Sequence, residues 1–224
     1  MMRLVSRWVA CACVGSALAG CALLGKGDPL LPRYFTPEYP LDAPASAPAV
    51  ADLRLRLGRV SAWSHLRERM VVRSSEQEIR YYDDRRWTER PEIYLRRALS
   101  GELFQERGLV HVISGAAPTL EVELASFEEV QVPSNHRARL VAHFVLYDER
   151  VGRLEETITV EEPVRAAPEP DRGSAVAEAL SLALRTGVTR IADHVVAKLS
   201  AMAAAERVPP SGSRASSEEP REHR

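Results

Sequence analysis

From residue 51 onward, apolar and polar positions alternate with a period that changes along the chain, and each change marks an element. Leu53, Leu55 and Leu57 alternate with Arg54, Arg56 and Gly58, the period-two pattern of a strand with one buried face. Short strands are predicted at 70–73 and 79–82. A helix follows, with Thr88 as N-cap, Glu89 supplying a first-turn carboxylate and Pro91 tolerated at its start. Leu95, Leu99 and Leu103 line one face beside Phe104, and Gly108 suits the helix end. Residues 109–113 read as a brief strand. Next, Leu120, Val122 and Leu124 alternate with Glu121, Glu123 and Ala125. The phase slips by one near 125–127, which predicts a β-bulge. Pro133-Ser134-Asn135-His136 forms a turn, and Ala138, Leu140, Ala142, Phe144 and Leu146 supply the next buried face. Gly152 turns the chain again before Ile158 and Val160. Beyond Pro163, Pro168 and Pro170, Ser174 caps a long helix striped by Val176, Leu180, Leu184, Val188, Ile191, Val195 and Leu199.

The pattern therefore predicts one α+β domain over 51–205, in the order strands, helix, strands, helix. Its sheet is expected to be mostly antiparallel, with both helices packed on one face. Residues 206–224, rich in Pro, Ser and charge, read as a disordered tail. Hydrophobic residues make up 45% of the 224 and charged residues 27%, which excludes wholesale disorder and fibrous rods. No internal repeat is evident.

The first twenty residues follow a different logic. Arg3 and Arg7 stand without acids, and an uncharged, mostly apolar run spans 8–18. As a helix that run is about 16 Å long, short of the roughly 30 Å hydrocarbon core. It reads as an export signal rather than a membrane span. The signal ends in Leu18-Ala19-Gly20-Cys21, which resembles a bacterial lipobox. The resemblance implies that 1–20 are a lipoprotein signal peptide, cut before Cys21, whose thiol and new amino group are acylated. Cys11 and Cys13 leave with the signal, so no thiol remains for a disulfide, a metal or a nucleophile. Two or more acyl chains are needed for stable anchoring, at about 0.8 kcal/mol per buried methylene. Ala22, rather than Asp, after the cysteine matches the outer-membrane address. Residues 21–50 read as a lipidated tether, because six of the fifteen prolines fall between Pro29 and Pro48. Within it Tyr34, Phe35 and Tyr39 are expected to dock on the domain as an edge strand.

Chemistry is sparse. The formal net charge of −1, or −3 once Arg3 and Arg7 are lost, recruits no nucleic acid. There is no Walker A loop, no G-x-S-x-G elbow and no H-E-x-x-H, and the six histidines lack metal-ligand spacing. No cofactor, metal or catalytic set is expected; His111 and His143 read as structural. Glu121 and Glu123 share one strand face, which suits either paired acid/base work in a hydrolase or a solvated surface. Two acidic pairs, Asp-Asp or Glu-Glu, are assigned to turns. Charge is uneven: 54–97 hold twelve Arg against seven acids, and 102–162 hold twelve acids against five Arg. That basic flank suits an acidic partner, phospholipid headgroups or solvent. Trp63 and Leu66, amid arginines in the loop 61–69, suit a partner interface, and Trp87 is grouped with them.

The order of these features resembles the ABC-type transport auxiliary lipoproteins of the paraquat-inducible protein C type. The carrying residues are Cys21, the pair Tyr34-Phe35, and the strand leading into the Trp63 loop. They continue with Tyr81-Tyr82-Asp83-Asp84-Arg85-Arg86-Trp87-Thr88-Glu89-Arg90-Pro91 opening a helix with Leu95 and Leu99. Thr119-Leu120-Glu121-Val122 and the C-terminal helix complete the set, over roughly 10 to 202. The resemblance implies a non-enzymatic lipoprotein of a Gram-negative outer membrane, facing the periplasm. It would serve an MCE-type lipid transport system, whose MCE-domain protein, permease and ATPase are its implied partners. The rival reading is a structural lipoprotein assisting assembly of an outer-membrane protein or a lipopolysaccharide exporter. A homo-oligomer is left open. The Pro-rich segment is longer here and the charged tail is extra, so membrane spacing does not carry over.

Overall fold

The alternating segments form strands and the four-and-three stripes form helices, but the strands assemble in an order that local pairing does not anticipate. A computed structural model describes residues 30–38, 53–132 and 135–207. In chain order these form β1 (Arg33–Phe35), β2 (Arg54–Ala62), β3 (Arg69–Arg73), β4 (Ile79–Trp87), α1 (Pro91–Ser100) and a π-helical turn (Gly101–Glu106). After these come β5 (Val110–His111), β6 (Thr119–Val132), β7 (Asn135–Asp148), β8 (Val151–Pro163) and α2 (Glu169–Arg207). The signal, the lipobox Leu18–Cys21, Tyr39, the turn residues Pro133 and Ser134, and the tail beyond 207 lie outside the described residues.

The frame is the antiparallel run β6–β7–β8, with strands of 14, 14 and 13 residues. Leu120, Val122 and Leu124 face the same side as their partners Leu146, Phe144 and Ala142. Register shifts between Leu124 and Ser126, where the apolar phase slips. Past that bulge, Phe127 and Glu129 occupy the inward face, opposite Leu140 and Ala138. Glu149 and Arg150, both at positive φ, close the β7–β8 turn just ahead of the glycine expected there.

The expectation of a mostly antiparallel sheet is corrected. Among the described residues the eight strands form a mixed sheet, with β1–β4, β2–β5, β2–β6 and β3–β6 all parallel. β2 and β3 do not pair with each other. Residues of β2 align with the first half of β6 and residues of β3 with its second half, so both lie along one edge, interrupted by the loop 63–68. α1 carries the chain back between β4 and β6, and a helical crossover permits parallel pairing. Only the local hairpins β3–β4, β6–β7 and β7–β8 stay antiparallel.

α2 packs on β7 and β8, and α1 packs on β2 and on α2, so both helices cover one face. All seven residues of the α2 stripe are buried. α2 begins at Glu169 rather than at Ser174, because Glu169, Pro170 and Asp171 suit a first turn. α1 begins after Arg90 without a side-chain cap, and Thr88 bonds the Tyr94 hydroxyl at 2.8 Å instead. No helix of the described residues is long and apolar enough to cross a membrane.

Candidate interaction surfaces

Three places gather aromatic and charged side chains: the edge where the chain enters the domain, the loop 63–68, and a polar cluster beneath the start of α2. At the edge, β1 runs parallel to β4. The Thr88 N–H donates to the Phe35 carbonyl at 3.0 Å, and the Glu38 N–H donates to Ser181 Oγ at 3.0 Å. The Arg33 guanidinium donates to the Pro170 carbonyl in the first turn of α2 and lies 5.3 Å from the Phe35 ring centroid. Phe35 presses on Gly173 so closely that a Cβ there would sit 2.5 Å from Cζ of the ring. The first part of the Pro-rich segment is thus pinned to the fold, and only glycine at 173 allows that approach.

The loop 63–68 leaves the sheet where β2 ends, with the Trp63 N–H still bonded to the Leu124 carbonyl at 3.0 Å. Trp63 is 51% exposed and meets His65 edge to face. Tyr81, partly exposed, donates to the His65 carbonyl at 3.3 Å, and the Arg69 guanidinium lies 5.2 Å from its ring centroid. Beneath them Glu128 is buried and takes two bonds from Arg73, at 2.6 and 3.2 Å. Burial lowers the His65 pKa, and Arg73 adds to that while Glu128 opposes it. Leu66 and Trp87, grouped with Trp63 as an expected interface, are both buried to 1% exposure and offer a partner no surface. Trp87 instead packs between Tyr94 and Phe127, with centroids 6.2 and 5.3 Å away. An aromatic placed just before a helix turns inward when the sheet ends over a core.

Glu129 anchors the third place. It is fully buried and accepts from Arg172 of α2 at 2.9 Å and from the Tyr82 hydroxyl. His136 Nδ1 lies 2.9 Å from the same carboxylate and 2.7 Å from Arg172 Nη2. Gln131 donates to the Tyr82 oxygen at 3.3 Å, and the Arg85 guanidinium lies 4.1 Å from the Tyr82 ring centroid while pairing with Glu169 at 2.7 Å. Burial alone would raise the Glu129 pKa, but the bonds from Tyr82, Arg172 and His136 and the Arg172 charge outweigh it and hold the carboxyl below its ordinary value. Burial, then the bond to Glu129, pushes the Tyr82 phenol up. Glu128 and Glu129 lie inside β6 and both are buried. The signal that finds Glu129 is the phase slip: carried past Ala125, it turns Phe127 and then Glu129 inward, while Glu128 faces the other way and no local pattern marks its burial.

The uncovered face of the sheet carries Glu121 and Glu123, both exposed, along an open depression of about 280 Å3 shared with Arg59, Ser61, His143, Val145 and Tyr147. His143 bonds Thr157 at 3.1 Å, and His111 stacks on Phe104 at 4.1 Å. Among the described residues no three His, Cys, Asp or Glu side chains gather as metal ligands would.

Residues 38–196 match the model of a protein family described as ABC-type transport auxiliary lipoprotein component. No curated protein matches the chain. Among solved structures, a Xanthomonas campestris protein of the DUF330 family is similar at TM-score 0.65 and 18% identity, covering 77% of this chain and 99% of its own. A second, described as an uncharacterized protein, is similar at TM-score 0.57 and 13% identity, covering 74% of this chain and 99% of its own. At these identities the likeness is one of fold.

Proposed function

The chain belongs to the family of ABC-type transport auxiliary lipoproteins, and from that premise we propose that it is a non-catalytic docking module of an MCE-type phospholipid transport system. In this reading Cys21 carries the acyl chains, and the domain faces the periplasm from the outer membrane. There it holds the periplasmic end of the complex, whose ATPase and permease are separate chains. The family match over 38–196 carries the reading. Two features support it: a leader ending in Leu18-Ala19-Gly20-Cys21, and a domain entered through a segment pinned at its edge.

The partner surface we assign is the helix-free sheet face together with Trp63, which is exposed and aromatic in a loop that also carries Arg67. The test is affinity capture of the full acylated chain from solubilised membranes. An MCE-domain protein is expected in the eluate. Capture of β-barrel assembly components instead would turn the reading toward the structural alternative. Trp63→Asp is expected to reduce capture of the MCE-domain protein while shifting stability by no more than about 0.5 kcal/mol, as surface changes do. Undiminished capture by that variant would remove Trp63 from the interface.

A further inference from the structure

We propose that the end of the domain where the chain enters β1 is a membrane-contact surface, with Leu30 and Leu31 seated in the phospholipid interface. The inference rests on the acylated Cys21 of the preceding section and adds which end of the domain meets the bilayer.

Leu30 and Leu31 are consecutive leucines at 71% and 79% exposure, directly before Pro32 and the pinned Arg33. Adjacent large apolar side chains left in water on an ordered segment mark a contact surface. The length of chain decides what they contact. Leu30 is nine residues on from Cys21, and nine steps of 3.3–3.6 Å reach at most about 30 Å. A domain free on its tether could present any side, but this one is not free. The β1–β4 ladder, the Arg33–Pro170 bond and the Phe35–Gly173 contact fix residue 33 to the body. Whatever holds Cys21 therefore also holds the β1 entrance close.

Strand directions identify what shares that end. β1 is parallel to β4, β4 antiparallel to β3, and β3 parallel to β6, so residues preceding Arg33 lie toward the end of β6 and its turn into β7. The same end holds a cleft of about 280 Å3 lined by Asn135, His136, Arg165 and Arg172. The first turn of α2 joins the two, since Pro170 accepts from Arg33 and Arg172 lines the cleft. Apolar side chains on the same side of the domain as cationic and amide donors match the chemistry of a phospholipid interface, with carbonyl and phosphate oxygens above acyl chain. The opposite end, with the β7–β8 turn and Ile113, lies about 30 Å back along the strands from the level of Leu31. It points away from the membrane.

The experiment places the photoreactive residue benzoylphenylalanine at Leu31 or, separately, at Ile113, which is 84% exposed at the far end. The full, acylated chain is reconstituted in vesicles of phosphatidylethanolamine and phosphatidylglycerol and irradiated. Phospholipid adducts are expected at 31 and none at 113. Acylated protein giving no lipid adduct at 31, adducts to a second copy there, or equal lipid adducts at both positions would overturn the proposal while leaving the anchor intact. Intact mass without acyl chains on Cys21 would instead fail the anchoring reading, and this inference with it.

Discussion

Glu129 is a carboxylate without solvent, and its three partners come from three elements: Tyr82 from β4, His136 from β7 and Arg172 from α2. Such a group ties the register of the sheet to the position of the helix above it. Removing one member of a buried pair leaves the other uncompensated, at about 3–5 kcal/mol; Arg172 keeps some solvent, so Glu129→Gln is expected to cost about 3 kcal/mol at pH 7. The sign of its pH dependence follows from the depressed pKa. The folded protein binds this proton less readily than the unfolded chain does, so the ionised carboxyl stabilises the fold above the unfolded value of about 4.5. That stabilisation is lost as pH falls through the lower folded value. Denaturant unfolding between pH 7 and pH 3 should therefore show the wild-type and Glu129→Gln midpoints converging as acid is added. A gap that stays constant over that range would mean the carboxylate charge contributes nothing.

Among the elements, β1 has only three residues, yet it pins the Pro-rich segment to the edge of the sheet. Its docking depends on Gly173, where a methyl group would strike the ring of Phe35. The ring is held by its own strand and cannot swing aside as a long flexible chain would. Gly173→Ala is expected to destabilise by about 1–3 kcal/mol through overpacking and to speed exchange of the Thr88 N–H, which bonds Phe35. With Phe35→Ala already present the clash is gone, and Gly173→Ala should then stabilise, by up to about 1 kcal/mol of helix propensity. The same sign in both backgrounds would refute the contact. This element shows what the sequence reveals and what it conceals. Tyr34 and Phe35 stand out as aromatics in a Pro-rich stretch, so their docking is legible. Their partner strand is not, because parallel pairing between residues fifty apart leaves no local trace. The mixed sheet is hidden for the same reason: alternation in Leu53–Leu57 and Leu120–Leu124 tells which side chains face inward, and says nothing about strand direction. The bulge at Ala125 and the stripe of α2 are local patterns, and both are visible.

On the scale of the whole molecule, the candidate site is only partly legible in the sequence. Leu66 and Trp87 have the residue types of an interface, yet both are core, since composition alone cannot say which side of a loop a large apolar residue takes. Trp63, three residues from Leu66, is the exposed one. The proposed anchor is written as consecutive residues, and it yields the most direct prediction. If Cys21 is the acylation point, Cys21→Ala removes both the nucleophile that accepts lipid and the residue at which the leader is cut. The apolar run 8–18 then stays attached, at about 16 Å too short to span the roughly 30 Å hydrocarbon core. Cells making Cys21→Ala should accumulate a precursor larger by residues 1–20, with no radioactive palmitate incorporated and only weak membrane attachment. Wild-type chain in the same cells should be shorter, labelled and firmly bound. A Cys21→Ala chain that is processed to wild-type size or carries the label would show that another residue holds the molecule to the bilayer, and the 30 Å reach measured from Cys21 would no longer constrain which end faces the lipid.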